Sequence, residues 1–248
     1  MRALRILLIF VVILGGLFVI ADRLAVNFAE DEAAARLKTT ENLAATPDVS
    51  IKGFPFLTQV AAGSLDDIEV GIKNYEASAG SGDSARKIRI DDLRADMRGV
   101  EFSGDYSSAT ATTATGTATI AYDELLKAAK SEPTQIAPGV TAEVVGISDG
   151  GNGKIKVTVE ATVLGTKLPE PVSVLSTVTV VDGDAVRVRA DVVPTFAGAD
   201  LAENQTRSVT DFQQKIDGLP GGIRLDQVRA APDGVEITVK GSGVRLAG

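Results

Sequence analysis

Ser84 and Lys87 form the single S-x-x-K pair of this 248-residue sequence, the spacing at which a lysine amine takes the proton of a nucleophilic serine. The motifs that would complete such a site are missing, and the surrounding string GSGDSARK has the composition of a turn between two strands. Histidine is absent, which removes Ser-His-Asp triads, imidazole general bases and zinc sites with imidazole ligands. No G-x-S-x-G, Walker A string or helix-opening G-x-G-x-x-G is present. Asp149-Gly150-Gly151-Asn152-Gly153 begins like a calcium loop but lacks the later bidentate glutamate, and reads better as a glycine-rich hairpin. Asn204-Gln205-Thr206 fits a glycosylation sequon, though a helix start explains it better. Arg86, Lys87 and Arg89 are the side chains best suited to an anionic group; the plainer reading is a solvated strand entry. These side chains lead us to expect no enzyme, no cofactor and no metal.

The elements that position them begin with the amino-terminal run. Residues 6–21, ILLIFVVILGGLFVIA, carry no charge. With Ala3 and Leu4 they are long enough to cross a ~30 Å hydrocarbon core at ~1.5 Å per residue. Arg2 and Arg5 precede the run and Asp22 follows it, so the amino terminus is expected inside and the rest exported. Val19-x-Ala21 also fits a signal-peptidase site, but the run exceeds the roughly 7 to 15 residues of a usual signal core. The expectation is an anchor over residues 1–21 and an extracytoplasmic domain over 22–248, in a single-pass protein of the cell membrane. Secretion or periplasmic release after cleavage near Ala21 is the alternative.

Composition narrows the partners. Net charge is −8, and leaving out Arg2 and Arg5 makes the exported part −10. Nucleic acid is therefore an improbable partner, because binding it needs a basic face that neutralises phosphates. Cysteine is absent, so an exported domain must rest on its core without disulfides, and 44% apolar residues suffice for one.

Residues 22–45 continue the membrane helix as an amphipathic stalk, with Val26, Ala29, Ala33, Leu37, Thr40 and Ala44 at helical spacing until Pro47 stops it. Residues 49–54 and the stretch 53–70 then read as extended runs about a turn near Gly63-Ser64, followed by the alternating Ile68, Val70 and Ile72. Past a Gly/Ser-rich turn come Ile88, Ile90, Leu93, Ala95, Met97, Val100 and Phe102, then a Thr/Ala alternation over 107–121. A short helix over 123–130 is capped by Asp123. Strands are expected at 140–147, 155–163, 172–181, 186–193, 223–230 and 235–239, joined as antiparallel hairpins. A second helix over 204–217 carries Val209, Phe212 and Ile216 on one stripe. The fold class expected is α+β: a long, strongly curved antiparallel sheet wrapped around amphipathic helices, preceded by one transmembrane helix. With eight Phe, three Tyr and no Trp, its interior suits either an elongated apolar cavity or a packed core of Val and Ala.

Gly53-Phe-Pro-Phe-Leu-Thr-Gln59, with Gly63-Ser-Leu65 and the acidic strand after it, resembles the actinobacterial LmeA-like phospholipid-binding family, and the resemblance extends over nearly the whole exported region. It implies a tubular lipid-binding fold similar to that of the bactericidal/permeability-increasing protein class, and non-catalytic binding or transfer of phospholipid in the envelope. Phospholipid and the cytoplasmic membrane are then the expected partners. The expected apolar lining is Phe56, Leu57, Ile68, Val70, Ile72, Val157, Val159, Val163, Val209, Phe212 and Ile216, with Arg86, Lys87 and Arg89 at the headgroup. An envelope scaffold with a solid core is the alternative.

Overall fold

A computed structural model describes residues 2–79, 86–105, 107–129, 133–192, 207, 211–215 and 222–247. Helix α1 (Arg2–Thr40) runs without interruption from the apolar segment into the stalk, and is long and apolar enough to cross a membrane. It ends where Asn42 turns to a φ of 50°, with Leu43 N–H bonded to the Lys38 carbonyl at 2.9 Å and Asn42 N–H to that of Thr39 at 3.4 Å. This pair of reversed bonds satisfies carbonyls that the helix end would otherwise leave open. The inward stripe holds at Val26, Ala29, Ala33 and Leu37; Thr40 and Ala44 face solvent, and Leu43 is buried in their stead.

Two antiparallel sheets follow. The first has the order β1-β2-β3-β4-β13-β12, with β1 (Asp48–Lys52), β2 (Ser64–Ala79), β3 (Arg86–Phe102), β4 (Ala109–Ala121), β12 (Ile223–Ala231) and β13 (Gly234–Ala247). The second has the order β11-β10-β9-β7-β6-β5, with β5 (Thr134–Ala137), β6 (Val140–Gly151), β7 (Lys154–Val163), β9 (Val172–Val181), β10 (Ala185–Ala190) and β11 (Phe212–Lys215); the two-residue β8 (Thr166–Lys167) pairs with β7. Together with α1 they form an α+β half-barrel of curled antiparallel sheets, as the sequence led us to expect, with the strands divided between two sheets rather than joined in one.

The curl has a residue-level cause. Facing the same side are Leu65 and Ile68 on β2, Val100 and Met97 on β3, and Ala111 and Ala114 on β4, each pair three residues apart instead of two. The register places Asp66, Gly99, Thr112 and Gly243 along one line across four strands, and Gly99 and Gly243 have φ of 57° and 60°. A left-handed residue inside a strand resets the pleat, so the apolar face stays inward past the slip while the sheet bends. The doublet Thr112-Thr113, breaking the Thr/Ala alternation, is its trace in the sequence.

Three expectations are corrected. Residues 56–61 are not extended but form the short helix α2 (Phe56–Ala61). Helix α3 begins at Tyr122 and runs to Ala129, so Asp123 lies in its first turn rather than capping it. Residues 212–215, expected in a helix, are strand β11, whose Phe212 pairs with Val188 and Gln214 with Val186. There Arg187 donates to the Gln213 side-chain Oε1 at 2.9 and 3.1 Å, and the Asp211 carboxylate accepts the Ala190 N–H at 2.9 Å. The open edge of β10 supplies partners that no local helical preference can match. Val209 and Ile216 lie outside the described residues.

Candidate functional site

The G-F-P-F-L-T-Q string is built as a compact clamp between α1 and the first sheet. Gly53 has a φ of 95°, and a Cβ there would stand 2.5 Å from the Gln59 amide nitrogen and 2.7 Å from Asp66 Oδ2, so a larger residue must strain the backbone and displace both side-chain ends. Gln59 Oε1 accepts the Asp66 N–H at 2.8 Å, tying α2 to the start of β2. Thr58 Oγ1 donates to the Pro55 carbonyl at 2.9 Å. Phe56 is buried; Leu57, one residue on, is exposed.

Asp22 completes the clamp. Pro55 at the α2 N-cap has no side-chain oxygen, and the orphan N–H of Leu57 is taken at 2.8 Å by Asp22 Oδ1 from α1. Its other oxygen pairs with Arg23 at 2.6 Å, and the side chain is wholly buried. The first acidic residue after the apolar run is thus a helix cap supplied in trans. Sequence reasoning missed this role, since nothing local links residue 22 to residue 57. Further along α1, Glu30 Oε1 accepts the Ile51 N–H at 2.7 Å and covers the free edge of β1.

Two apolar clusters occupy the inward faces. Val26, Phe56, Leu65, Val100, Ala109 and Ala111 form one under α1 and α2, with Ile51, Ile68, Met97 and Phe102 packed against it. The other lies between the second sheet and β12–β13 of the first, where Val157 and Val159 are buried among Ala142, Val174, Val178 and Val228, and Val163 packs alongside. Helix α3 bridges the sheets: Tyr122 and Leu125 rest on the second cluster, and the Tyr122 hydroxyl donates to the Ala231 carbonyl at 2.7 Å.

Between the clusters the concave face is only half covered. The register aligns Val49, Val70, Ala95, Gly116 and Val239 in one row and Ile72, Leu93, Ala118 and Ile237 in the next. Val70, Ile72, Leu93, Ala95 and Val239 are all half-buried. The middle of the sheet carries its smallest side chains, Ala95, Ala114, Gly116 and Ala118, and Val239 leans over Gly116, its Cγ2 standing 2.8 Å from where a Cβ would be. Small residues flanked by Val, Ile and Leu make a shallow apolar trough along the sheet. The cleft at the end of α1, between Leu43 and Ile72, encloses only about 70 Å3, which suits a few waters and not an acyl chain.

Of the expected lining, then, Phe56 and Ile68 share one cluster, Val70 and Ile72 flank it on the half-covered face, Leu57 points outward, and Val157, Val159 and Val163 belong to the second cluster. The side chain of Phe212 lies outside the described residues, as do Ser84 and the side chains of Arg86 and Lys87. Arg89 is engaged by Asp91 at 3.3 Å and by the buried carboxylate of Glu124 at 3.4 Å. The Glu124 carboxyl is held below its ordinary range by the Lys127 ammonium and by the Arg89 N–H. Arg89 sits 13 residues along β3 from Phe102, or about 40 Å at the strand rise, far from α2. The Asp149 carboxylate accepts the Gly151 N–H at 2.9 Å, as befits a hairpin turn. One group had no sequence signal at all: Asp67, Glu69 and Asp96 bring their carboxylates together across β2 and β3. Burial and the Asp96 charge raise the Asp67 carboxyl above its usual value, against Arg98 and Lys52.

A family model described as LmeA-like phospholipid-binding matches residues 20–240, which takes in α2, both sheets and the half-covered face. Neither a curated protein nor a solved structure matches the chain. With that match spanning nearly all of the sequence beyond the apolar run, the chain belongs to the LmeA-like phospholipid-binding family.

Proposed function

We propose that the protein binds phospholipid without catalysis, at the extracytoplasmic face of the membrane that α1 crosses, and passes it along the concave face of the first sheet. The observation that carries this reading is the half-buried trough of Val70, Ile72, Leu93, Ala95 and Val239 in a member of a phospholipid-binding family. Exposing an acyl chain to water costs ~0.8 kcal/mol per methylene, so unaided escape from a bilayer faces tens of kcal/mol. An apolar trough removes most of that barrier. Because bilayer and trough are both apolar, exchange between them runs close to neutral and needs no energy source. With α1 retained as an anchor, the trough stays at high effective concentration beside its donor surface. Transfer needs no nucleophile, in keeping with a site made of Val, Ile, Leu and Ala.

The test uses the full chain in nanodiscs containing a phospholipid with a photoactivatable acyl chain. Adducts on peptides from β2 and β3 are expected; adducts confined to residues 6–21 would refute binding on the sheet. The second reading, a scaffold, draws on the densely packed cluster around Val157 and Val159. It predicts the latter result.

A further inference from the structure

The clamp built on Asp22 also sets a depth. Between Arg5 and Glu30 the only charged residues are Asp22 and Arg23, and Asp22 is buried and paired with its neighbour. The side of α1 turned away from the sheets therefore stays uncharged beyond the run, and apart from the exposed Asn27 it is apolar: Leu24 is 65% exposed and Phe28 72%, one and two turns on from Ile20. Because Asp22 holds the N-terminus of α2, the loop before α2 and its first turn are carried at the same level, where Phe54 is 57% exposed and Leu57 37%. The Arg23 guanidinium lies 5.2 Å from the Phe54 ring centroid with its side chain about half exposed. Four large exposed apolar side chains from two segments thus surround one cation at the end of the apolar run. Elsewhere beyond it, among the described residues, exposed large apolar side chains are scattered at Leu164, Leu175 and Val192.

Depth arithmetic fits these residues to one surface. A hydrocarbon core of ~30 Å ends near Asp22 and the headgroup layer adds ~5 to 7 Å, so Leu24, ~3 Å further along the helix, lies within that layer and Phe28, ~9 Å further, sits at its outer boundary. Aromatic rings beside a long cationic side chain suit that layer, where one end is apolar and the other wet. We infer that the junction of α1 with the G-F-P-F loop is a membrane foot: Phe54, Leu57, Leu24 and Phe28 seat in the headgroup and upper acyl region of the outer leaflet, and Arg23 meets lipid phosphate. This rests on the reading that α1 spans the membrane. Its consequence for lipid handling is direct. Phe56, adjacent to Leu57 on the same turn, belongs to the cluster that begins the concave face, so the foot joins bilayer to sheet without a stretch of water between them.

The chain contains no Trp, so a single introduced one reports its own surroundings. Phe54→Trp, Leu57→Trp, Val12→Trp in the middle of the run and Leu164→Trp on the 83% exposed side chain are each made in the full chain. Each is reconstituted into nanodiscs whose lipids are brominated near the top of the acyl chain and, for the Trp at 12, into discs whose lipids are brominated near the chain end. Relative to unbrominated discs, Trp at 54 and at 57 should lose roughly half or more of its emission, Trp at 12 should also be quenched, and Trp at 164 should be unaffected. Quenching at 12 with positions 54 and 57 behaving like 164 would overturn the foot while leaving the span intact. An unquenched Trp at 12 would overturn the span and the foot with it.

Discussion

Replacing Ala95 by Leu tests whether the trough is working space or packed core. Ala95 is half-buried on β3, with Val70 opposite on β2 and Gly116 opposite on β4. Leucine adds three carbons on the inward face, where a neighbouring glycine contributes no side chain of its own. If an acyl chain lies there, the new carbons displace about three of its methylenes, worth ~0.8 kcal/mol each. The loss of about 2.4 kcal/mol weakens lipid capture roughly 50-fold. Folding should hardly change, because an apolar side chain on an open face shifts stability by about 0.5 kcal/mol or less. If the face is packed instead, the extra carbons overfill it at a cost of about 1 to 3 kcal/mol, which lowers the melting temperature by roughly 2 to 12 °C in a chain this size. Uptake of a fluorescent phospholipid from donor vesicles and a circular-dichroism melt read the two quantities separately, with Thr115→Leu on the exposed face of β4 as control. A melting temperature lowered by several degrees with unchanged uptake would refute the assignment of the trough.

Val100, fully buried beneath α1 and α2, should cost about 2 to 3 kcal/mol on truncation to Ala, measurable by urea unfolding, since two methylenes are lost and a void remains. Gly53→Ala places a Cβ against Gln59 and Asp66, and hydrogen exchange should show the Leu57 N–H losing protection as the clamp to Asp22 loosens. Asp67→Asn should raise the melting temperature at neutral pH. The Asp67 carboxyl is raised in the fold, so its ionised form is a burden above that raised pKa, and the burden fades as pH falls through it towards the ordinary aspartate value. The advantage of the variant should therefore close on acidification; an advantage independent of pH would show that charge is not the cause.

The sequence by itself determined those features that need only one segment to be expressed. An uncharged run long enough for a bilayer is a property of consecutive residues, and α1 follows it without a break. The alternation of β3 and β4 was legible because burying one face imposes period two wherever a strand lies, while the slips between Met97 and Val100 and at Thr112-Thr113 took their meaning only from the paired strands. Glycine-rich turns marked the hairpins for the same local reason, and the G-F-P-F-L-T-Q string identified the family. Tertiary structure alone decided the rest. Phe212 falls at helical spacing with Val209 and Ile216, yet the free edge of β10 offers residues 212–215 backbone partners that outweigh it. Asp22 caps a helix 35 residues away, and Val157 and Ile68, alike in their strands, end in different clusters. Periodicity states that a face is buried, not what covers it; that depends on which strand edges and helix ends meet, and those pairings are made between residues far apart in the chain.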